Sequence, residues 1–255
     1  CVLITGGASG IGRIMGRMAL ERGARRLVVW DINEADAAAI EAEAGRRDAV
    51  TCYKVDVSDS GAVAEAYERV KRECGDILIN CAGIVTGNKT FDLMSQREID
   101  RTMAINATAP MIIARLMLPD MMARDCGHVC NIASAAGMIS NPRMSVYVAS
   151  KWAVIGWSDS VRIELQQARS NVHITTVAPY YINTGMFEGV HSRILPILDP
   201  EPTARKIIRG IERNRNFCGI PLGFHLIRFC QGVLPVSWFD RIFSAMDGFT
   251  GRRGK

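Results

Sequence analysis

The stretch Val2-Leu-Ile-Thr-Gly-Gly-Ala-Ser-Gly-Ile-Gly12 decides the fold, because it joins an apolar run to a glycine-rich turn and then to a helical pattern. Glycines let the backbone turn sharply and approach a pyrophosphate, which the free N–H groups at a helix N-terminus stabilise. A glycine-rich turn is by itself equally compatible with a plain tight turn. The surrounding sequence has to decide between these two interpretations.

Apolar runs alternate with helical patterns along the rest of the chain, which is typical of a parallel sheet covered by helices on both faces. The runs are continuous rather than alternating, as buried parallel strands are. We predict strands at 2–5, 27–31, 51–56, 77–80, 128–134 and 173–179, and helices at 11–23, 33–45, 60–74, 95–124, 146–168 and 200–214. The fold class is therefore α/β, a three-layer, doubly wound parallel sheet of the Rossmann type.

The 255 residues are predicted to form a single domain, 1–255. Within it we expect a substrate-loop region at about 184–203 and an apolar, basic C-terminal extension at about 217–255. Ser95-Gln-Arg-Glu98 predicts a capping box, and Asp199-Pro200 predicts an N-cap followed by proline in the first helical turn.

Asp31 ends the second predicted strand, about twenty residues after the glycine turn. A carboxylate there can accept hydrogen bonds from the ribose hydroxyls of an adenosine group, and it repels a 2′-phosphate. No basic residue lies between Gly7 and Gly10 to offset that repulsion. The pattern favours NAD over NADP as the cofactor, and a helix N-cap is the alternative role for Asp31.

These residues resemble the short-chain dehydrogenases/reductases. The sequence Thr5-Gly-Gly-Ala-Ser-Gly-Ile-Gly12 is similar to the family's phosphate loop, Asp56-Val57 to its adenine contact, and Asn80-Cys-Ala-Gly83 to its Asn-Asn-Ala-Gly motif. The resemblance covers residues 1 to about 215. The chain departs from the family at Cys81, where we expect little effect because neighbouring groups make the backbone contacts.

The chemistry is predicted to lie on Tyr147, with Lys151 one helical turn later and Ser134 at the end of the fifth strand. Hydride transfer to a carbonyl leaves an alkoxide that needs a proton, so the site needs an acid. A lysine ammonium beside a phenol favours phenolate, and we therefore expect a Tyr147 pKa below 10. The Ser134 hydroxyl can stabilise charge that develops on the substrate oxygen.

The resemblance implies the remaining site residues. Asn106 is the expected fourth catalytic residue, which helps to hold a proton-relay water, and a helix-kink asparagine is the alternative. Residues 179–184 are expected to lie against the nicotinamide, although Tyr180 replaces the usual glycine. The full cofactor-binding set is Gly6, Ser9, Gly10, Ile11, Gly12, Asp31, Ile32, Asp56, Val57, Asn80, Ala82, Gly83, Tyr147, Lys151, Pro179, Ile182 and Thr184.

The residues expected to face the substrate are apolar and uncharged, which favours a small apolar alcohol or ketone such as a steroid, retinoid or lipid; several of them could instead be core. They are Val85, Met138, Ile139, Met144, Met186, Phe187 and Val190. The segments 184–187 and 195–201 resemble the retinol and 17β-hydroxysteroid dehydrogenase subgroup. Two alternatives stay open: an NADP-dependent 3-oxoacyl thioester reductase, and a scaffold that binds NAD without turnover.

The net charge of +5 is unevenly distributed, because residues 205–255 carry +7 (10 Lys and Arg against 3 Asp and Glu) and residues 1–204 carry −2. Six of the eight Phe also lie after residue 204. Ser237 is predicted to cap a short helix with Trp238, Phe239, Ile242, Phe243 and Met246 on one face. That face is expected either to contact a membrane, with Arg241, Arg252, Arg253 and Lys255 facing anionic head groups, or to pack on its own domain or on a partner subunit.

Several classes of protein are disfavoured by composition. No apolar run is long enough to span a bilayer, and the basic residues are too mixed with aliphatic ones to favour nucleic-acid binding. The eight cysteines show no metal-ligand spacing, and we expect them to be free thiols in a reducing compartment. We expect a cytoplasmic homodimer or homotetramer, and a signal or anchor upstream of Cys1 is left open.

Overall fold

The computed structural model describes residues 1–34, 36–86, 89–185, 196–221 and 223–243, except for the side chains of residues 224, 225, 240 and 243. Its seven strands form one parallel sheet in the order β3-β2-β1-β4-β5-β6-β7. They are β1 Val2–Thr5, β2 Leu27–Asp31, β3 Val50–Lys54, β4 Ile77–Asn80, β5 Gly127–Ile132, β6 Val172–Pro179 and β7 Phe217–Ile220. The predicted doubly wound α/β class is confirmed.

Helices cover both faces of the sheet because side chains alternate between the two faces along each strand. The helices are α1 Gly10–Glu21, α2 Ala37–Ala44, α3 Ser60–Val70, α4 Gln96–Met103, α5 Ala109–Ala123, α6 Ser145–Gln167, α7 Pro200–Glu212, α8 Gly223–Val233 and α9 Val236–Phe243. Leu3 and Trp30 pack on one face with α3, α5 and α6, whereas Ile4 and Val29 pack on the other with α1, α2 and α7.

The predicted capping signals are present. Ser95 and Glu98 form the reciprocal capping box of α4, and the Asp199 side chain accepts a hydrogen bond from the Glu201 N–H at the start of α7. The predicted helix 95–124 is not one α-helix, however. A π-helical turn at Ala104–Thr108 separates α4 from α5, and such turns frequently occur at functional sites.

The C-terminal region differs from the prediction in two ways. Phe217–Ile220, which was assigned to the extension, is the edge strand of the sheet, and α9 begins at Val236, so Ser237 lies in its first turn rather than at its cap. Gly219 interrupts the apolar run of this strand, and a glycine inside a strand weakens the sequence signal. Phe239 is buried whereas Trp238 and Ile242 are exposed, so these three residues of the predicted face do not have the same environment. The side chain of Phe243 lies outside the described part of the chain, as do Met246, Arg252, Arg253 and Lys255.

The expectation that all cysteines are free is wrong, because Cys1 and Cys74 form a disulfide with a Cα–Cα distance of 5.0 Å. The two residues are 73 positions apart in the sequence. They meet because β1 pairs with β4, whose first residue follows Cys74 by three positions. No spacing rule could have shown this pairing.

Candidate functional site

The glycine turn between β1 and α1 is held close to the end of β4. The Thr5 hydroxyl accepts hydrogen bonds from the N–H groups of Cys81 and Ala82, both at 3.1 Å. A Cβ on Gly6, whose φ is +69°, would lie 2.8 Å from the Ala82 Cα, and one on Gly12 would lie 2.1 Å from the Gly6 carbonyl oxygen. Glycine is required at both positions because backbone occupies the space of a side chain.

A cavity of about 460 Å³ lies at the carboxyl ends of β1 to β4, where ligands bind in open α/β sheets. Ser9 is the N-cap residue of α1, but its side chain makes no capping hydrogen bond. The first-turn N–H groups of a helix have no intrahelical acceptor, so this end of the cavity suits a phosphate. The predicted residues that line it are Gly6, Ser9, Gly10, Ile11, Gly12, Asp31, Ile32, Asp56, Val57, Ala82, Gly83 and Thr184.

Asp31 is buried at the end of β2 and lines the same cavity. Its Oδ2 accepts a hydrogen bond from the Ala8 N–H and its Oδ1 accepts one from the Asn33 N–H, both at 3.0 Å. Each carboxylate oxygen has capacity for a second donor. Asp31 therefore both fixes the glycine turn and presents a negative charge to a ligand.

A second, smaller cavity of about 70 Å³ adjoins the first, since Ile11, Cys81, Gly83 and Thr184 line both. The predicted residues lining it are Ser134, Tyr147, Lys151, Pro179, Ile182 and Thr184. The side chains of Ser134 and Tyr147 are hydrogen-bonded to each other. The Lys151 ammonium donates to the Ile132 carbonyl at 3.0 Å and lies 5.7 Å from the centre of the Tyr147 ring.

The expected lowering of the Tyr147 pKa is contradicted in this arrangement. Burial raises the pKa of Tyr147 to about 12, and the hydrogen bond with Ser134 opposes that rise only in part. Burial also lowers the pKa of Lys151 to about 8. The expectation was wrong because it counted the attraction between the two groups and not the cost of removing each charge from water.

Asn106 is buried in the π-helical turn and lines neither cavity. Its Oδ1 accepts from the Ile84 N–H, and its Nδ2 donates to the Ile84 carbonyl at 2.8 Å and to the Ser150 hydroxyl at 3.2 Å. Asn80 is also buried, lines neither cavity, and donates from Nδ2 to the Asn131 Oδ1 at 2.8 Å. Asn106 thus holds the segment after β4 in place, whereas Asn80 joins the end of β4 to β5.

The segment after β6 keeps a regular path although Tyr180 replaces the usual glycine. The Tyr180 N–H donates to the Ile220 carbonyl at 2.8 Å, which continues the pairing with β7, and Ile182 pairs with Leu198. The rings of Tyr180 and Tyr181 meet edge to face at 4.7 Å and pack against Ile227 and Phe239 of the C-terminal helices. The C-terminal helices thus cover the carboxyl end of β6.

The residues expected to face the substrate separate into three groups. Val85 and Met144 pack in one apolar cluster with Tyr147. Met138 and Ile139, which follow the short 3₁₀ turn at Ala135–Gly137, pack instead with Tyr180, Tyr181 and the C-terminal helices. Met186, Phe187 and Val190 lie outside the described residues.

Other residues line the larger cavity that the sequence did not indicate. Arg101 of α4 is among them and lies near enough to Asp56 to contribute to lowering its pKa, behind the larger effect of hydrogen bonds from Ser58. Cys81 lines both cavities, and burial raises the pKa of its thiol to about 12. At neutral pH it is therefore an uncharged lining residue and not a thiolate nucleophile. The others are Trp30, Asn33, Val55, Ile84 and Ile105, whereas Val85, which also lines this cavity, was expected to face the substrate. Only the tertiary position of α4 brings Arg101 to this cavity.

Comparison with known proteins agrees with this geometry. The family model described as short chain dehydrogenase matches residues 1–194. The chain is 37% identical to epidermal retinol dehydrogenase 2 of Mus musculus, over all of this chain and 86% of that protein. It is 32% identical to retinol dehydrogenase 10 of Homo sapiens, over 91% of this chain and 78% of that protein.

A solved structure shows the same fold. The bulky-bulky ketone specific alcohol dehydrogenase from Comamonas testosteroni superposes with a TM-score of 0.75 at 23% identity, over 96% of this chain and 90% of that one. The likeness supports the strand order and the layers.

Proposed function

The chain belongs to the short-chain dehydrogenase family and is an NAD(P)-dependent oxidoreductase that acts on alcohols, and we propose that it transfers hydride between NAD(H) and a hydrophobic, retinoid-like alcohol or its carbonyl product. The observation that carries the proposal is the position of Ser134, Tyr147 and Lys151 around a cavity that adjoins the glycine-turn cavity. One ligand can therefore extend from the phosphate end to the phenol.

The residues around the larger cavity fit a dinucleotide. Glycines at 6 and 12 leave space for the turn, the α1 N-terminus offers N–H groups, and Asp31 offers a carboxylate from the end of β2. When bound, the nicotinamide accepts or supplies the hydride. The Asp31 charge, which a 2′-phosphate would have to approach, supports NAD over NADP.

In the proposed reaction, Tyr147 is the acid/base at the substrate oxygen. Oxidation removes a hydride from the carbinol carbon and transfers the hydroxyl proton to the Tyr147 phenolate, and reduction runs the same steps in reverse. Ser134 donates a hydrogen bond to the same oxygen, and protonated Lys151 stabilises negative charge on the phenolate. Because the phenol pKa is about 12 in the chain alone, alcohol oxidation should accelerate as pH is raised.

Support for a retinoid-like substrate comes from two sources. The similar proteins are retinol dehydrogenases by name, and the residues packed beside the phenol, Val85 and Met144, are apolar. The experiment is to follow NADH formation with retinol, a steroid alcohol and a long-chain alcohol, and NADPH consumption with a 3-oxoacyl thioester. Turnover of the thioester alone would overturn the proposal in favour of the thioester reductase.

We also propose that the C-terminal helices contact a membrane surface peripherally. No helix among the described residues is long and apolar enough to cross a bilayer. Yet α8 and α9 expose large apolar side chains that a peripheral contact would bury: Leu226, Phe229, Val233, Val236, Trp238 and Ile242, each 52–76% exposed. Cytoplasmic placement and a homodimer or homotetramer stay predictions.

The membrane contact is tested with the paired substitution Phe229→Gln and Trp238→Gln. Both side chains are more than half exposed, so the fold should tolerate the change, and vesicle binding should fall because apolar insertion is lost. Unchanged vesicle binding would refute the contact. A shift from dimer to monomer on gel filtration would assign the same face to a second subunit instead.

A further inference from the structure

A third cavity lies at the outer edge of the sheet and shares no lining residue with the two cavities described above. It has a volume of about 250 Å³ and is formed between the C-terminal part of α7 and the edge strand β7. Four cationic side chains line it, and Phe217 forms part of its wall: the cations are Lys206, Arg209, Arg213 and Arg215. No acidic residue of the described chain is among those lining it.

The positive charge of this basic cavity is not neutralised within the described chain. The acidic residues of α7 are used elsewhere, because Glu201 pairs with Arg17 and Glu212 pairs with Arg22. None of the ion pairs found among the described residues includes a cation of the cavity. A basic residue at a helix C-terminus is favoured by the helix dipole, but that accounts for one or two cations and not for four around a concave space.

The wall of the basic cavity is in contact with α8, which exposes apolar side chains. The Arg228 guanidinium of α8 lies 5.3 Å above the Phe217 ring, which links the cavity wall to that helix. Leu226 and Phe229 flank Arg228 in sequence and are 65% and 66% exposed. The helix that exposes Leu226 and Phe229 therefore also carries the cation that contacts the cavity wall.

We propose that the basic cavity binds the phosphate of an anionic lipid head group while the apolar side chains of α8 and α9 contact the acyl region. This inference rests on the membrane contact proposed above and names the residues that select the lipid. The volume is below the roughly 300–1,000 Å³ of pockets that enclose whole small ligands, which suits a head group. The exposed apolar side chains of α8, the helix in contact with the cavity wall, favour a lipid over a soluble phosphate compound.

The test compares vesicles of phosphatidylcholine alone with vesicles that also contain phosphatidylinositol phosphate. The cavity variant is the pair Arg209→Gln and Arg213→Gln, and the control is the pair Arg25→Gln and Arg72→Gln. The control residues are exposed, lie before β2 and after α3, and are absent from the ion pairs of the described chain, so both variants lose the same net charge. Neither pair touches the alcohol site, so turnover of a detergent-solubilised alcohol should be unchanged.

The wild-type protein should prefer the anionic vesicles, and the cavity variant should bind them about 30-fold more weakly, which corresponds to about 1 kcal/mol for each charge near the surface. The control variant should lose much less affinity for the anionic vesicles. Equal losses in both variants would show a net-charge effect and overturn the proposal.

Two further outcomes separate this inference from the proposed function. If Phe229→Gln weakens vesicle binding and the cavity variant does not, the membrane contact stands and the lipid site fails. If inorganic pyrophosphate binds the wild-type protein and anionic vesicles do not, the cavity holds a soluble phosphate and the lipid assignment is overturned. Dehydrogenase activity is measured separately in detergent and is independent of these results.

Discussion

Titratable side chains are buried at both ends of the parallel strands, but only those at the carboxyl ends lie beside a cavity that a ligand could enter. At the carboxyl ends, Tyr147 and Lys151 are buried and line a cavity. At the amino ends, His128 is equally buried, its Nε2 lies 2.8 Å from the Thr175 Oγ1, and burial together with the neighbouring His173 lowers its pKa to about 4.

None of the three cavities described above is lined by His128. A shifted pKa is therefore a sign of burial at both ends of the strands. Only the cavity beside Tyr147 and Lys151 distinguishes these groups, which a ligand can reach, from His128, which is enclosed in the core. The difference can be tested by changing one residue at a time.

The largest expected effect is on catalysis at the carboxyl end. Tyr147→Phe keeps the ring but removes the transferable proton, so kcat should fall by roughly 10²–10⁴. NAD binding, measured by fluorescence titration, should be nearly intact because the glycine turn is untouched. Retention of more than about a tenth of the wild-type rate would remove Tyr147 from the acid/base role.

The next effect tests how the C-terminal helices cover that end. Phe239→Ala should lower the free energy of unfolding by about 3 kcal/mol, because Phe239 is buried against Tyr180 and Tyr181. The matched change Trp238→Ala, at a neighbouring exposed position, should cost about 0.5 kcal/mol or less. Equal costs in urea unfolding would mean that α9 does not pack on the domain as described.

A smaller effect is expected at the amino end, and it concerns stability only. The pKa of His128 is lower in the folded protein than in the unfolded chain. The stability gained by burying the neutral imidazole is therefore fully present above pH 6.5 and is lost as pH falls towards about 4. The free energy of unfolding should therefore decline by about 2–3 kcal/mol over that interval. His128→Gln should flatten this decline while leaving neutral-pH activity unchanged, and a variant with lowered kcat would place His128 in the functional site.

The smallest effect concerns the choice of cofactor. Asp31→Ala removes the charge that repels a 2′-phosphate, so the preference for NAD over NADP should narrow by about tenfold, or about 1.4 kcal/mol. Titration of both reduced cofactors gives the ratio. Tighter binding of NADPH than NADH by the wild-type protein would point to Arg101 as the dominant charge in the larger cavity.

The local sequence was sufficient to predict a site residue wherever its position depends on a single strand, turn or helix. The glycine turn, Asp31 at the end of β2, and the pair Tyr147 and Lys151 on one helix were all predicted because their spacing is a property of one strand, turn or helix. The prediction of one continuous helix through Asn106 was wrong because the interruption depends on contacts that are not local. Its π-helical turn is stabilised by hydrogen bonds to Ile84 and Ser150, which are distant in sequence.

The sequence by itself determined the α/β class, most of the strands and the residues at the carboxyl ends of the strands, because periodicity and turn chemistry act over a few residues. Only the tertiary structure decided the edge strand β7, the Cys1–Cys74 disulfide, the inward direction of Phe239 and the pKa values of Tyr147 and Lys151. Each of these depends on which distant segments come together and exclude water. Burial and long-range contact are properties of the folded chain as a whole.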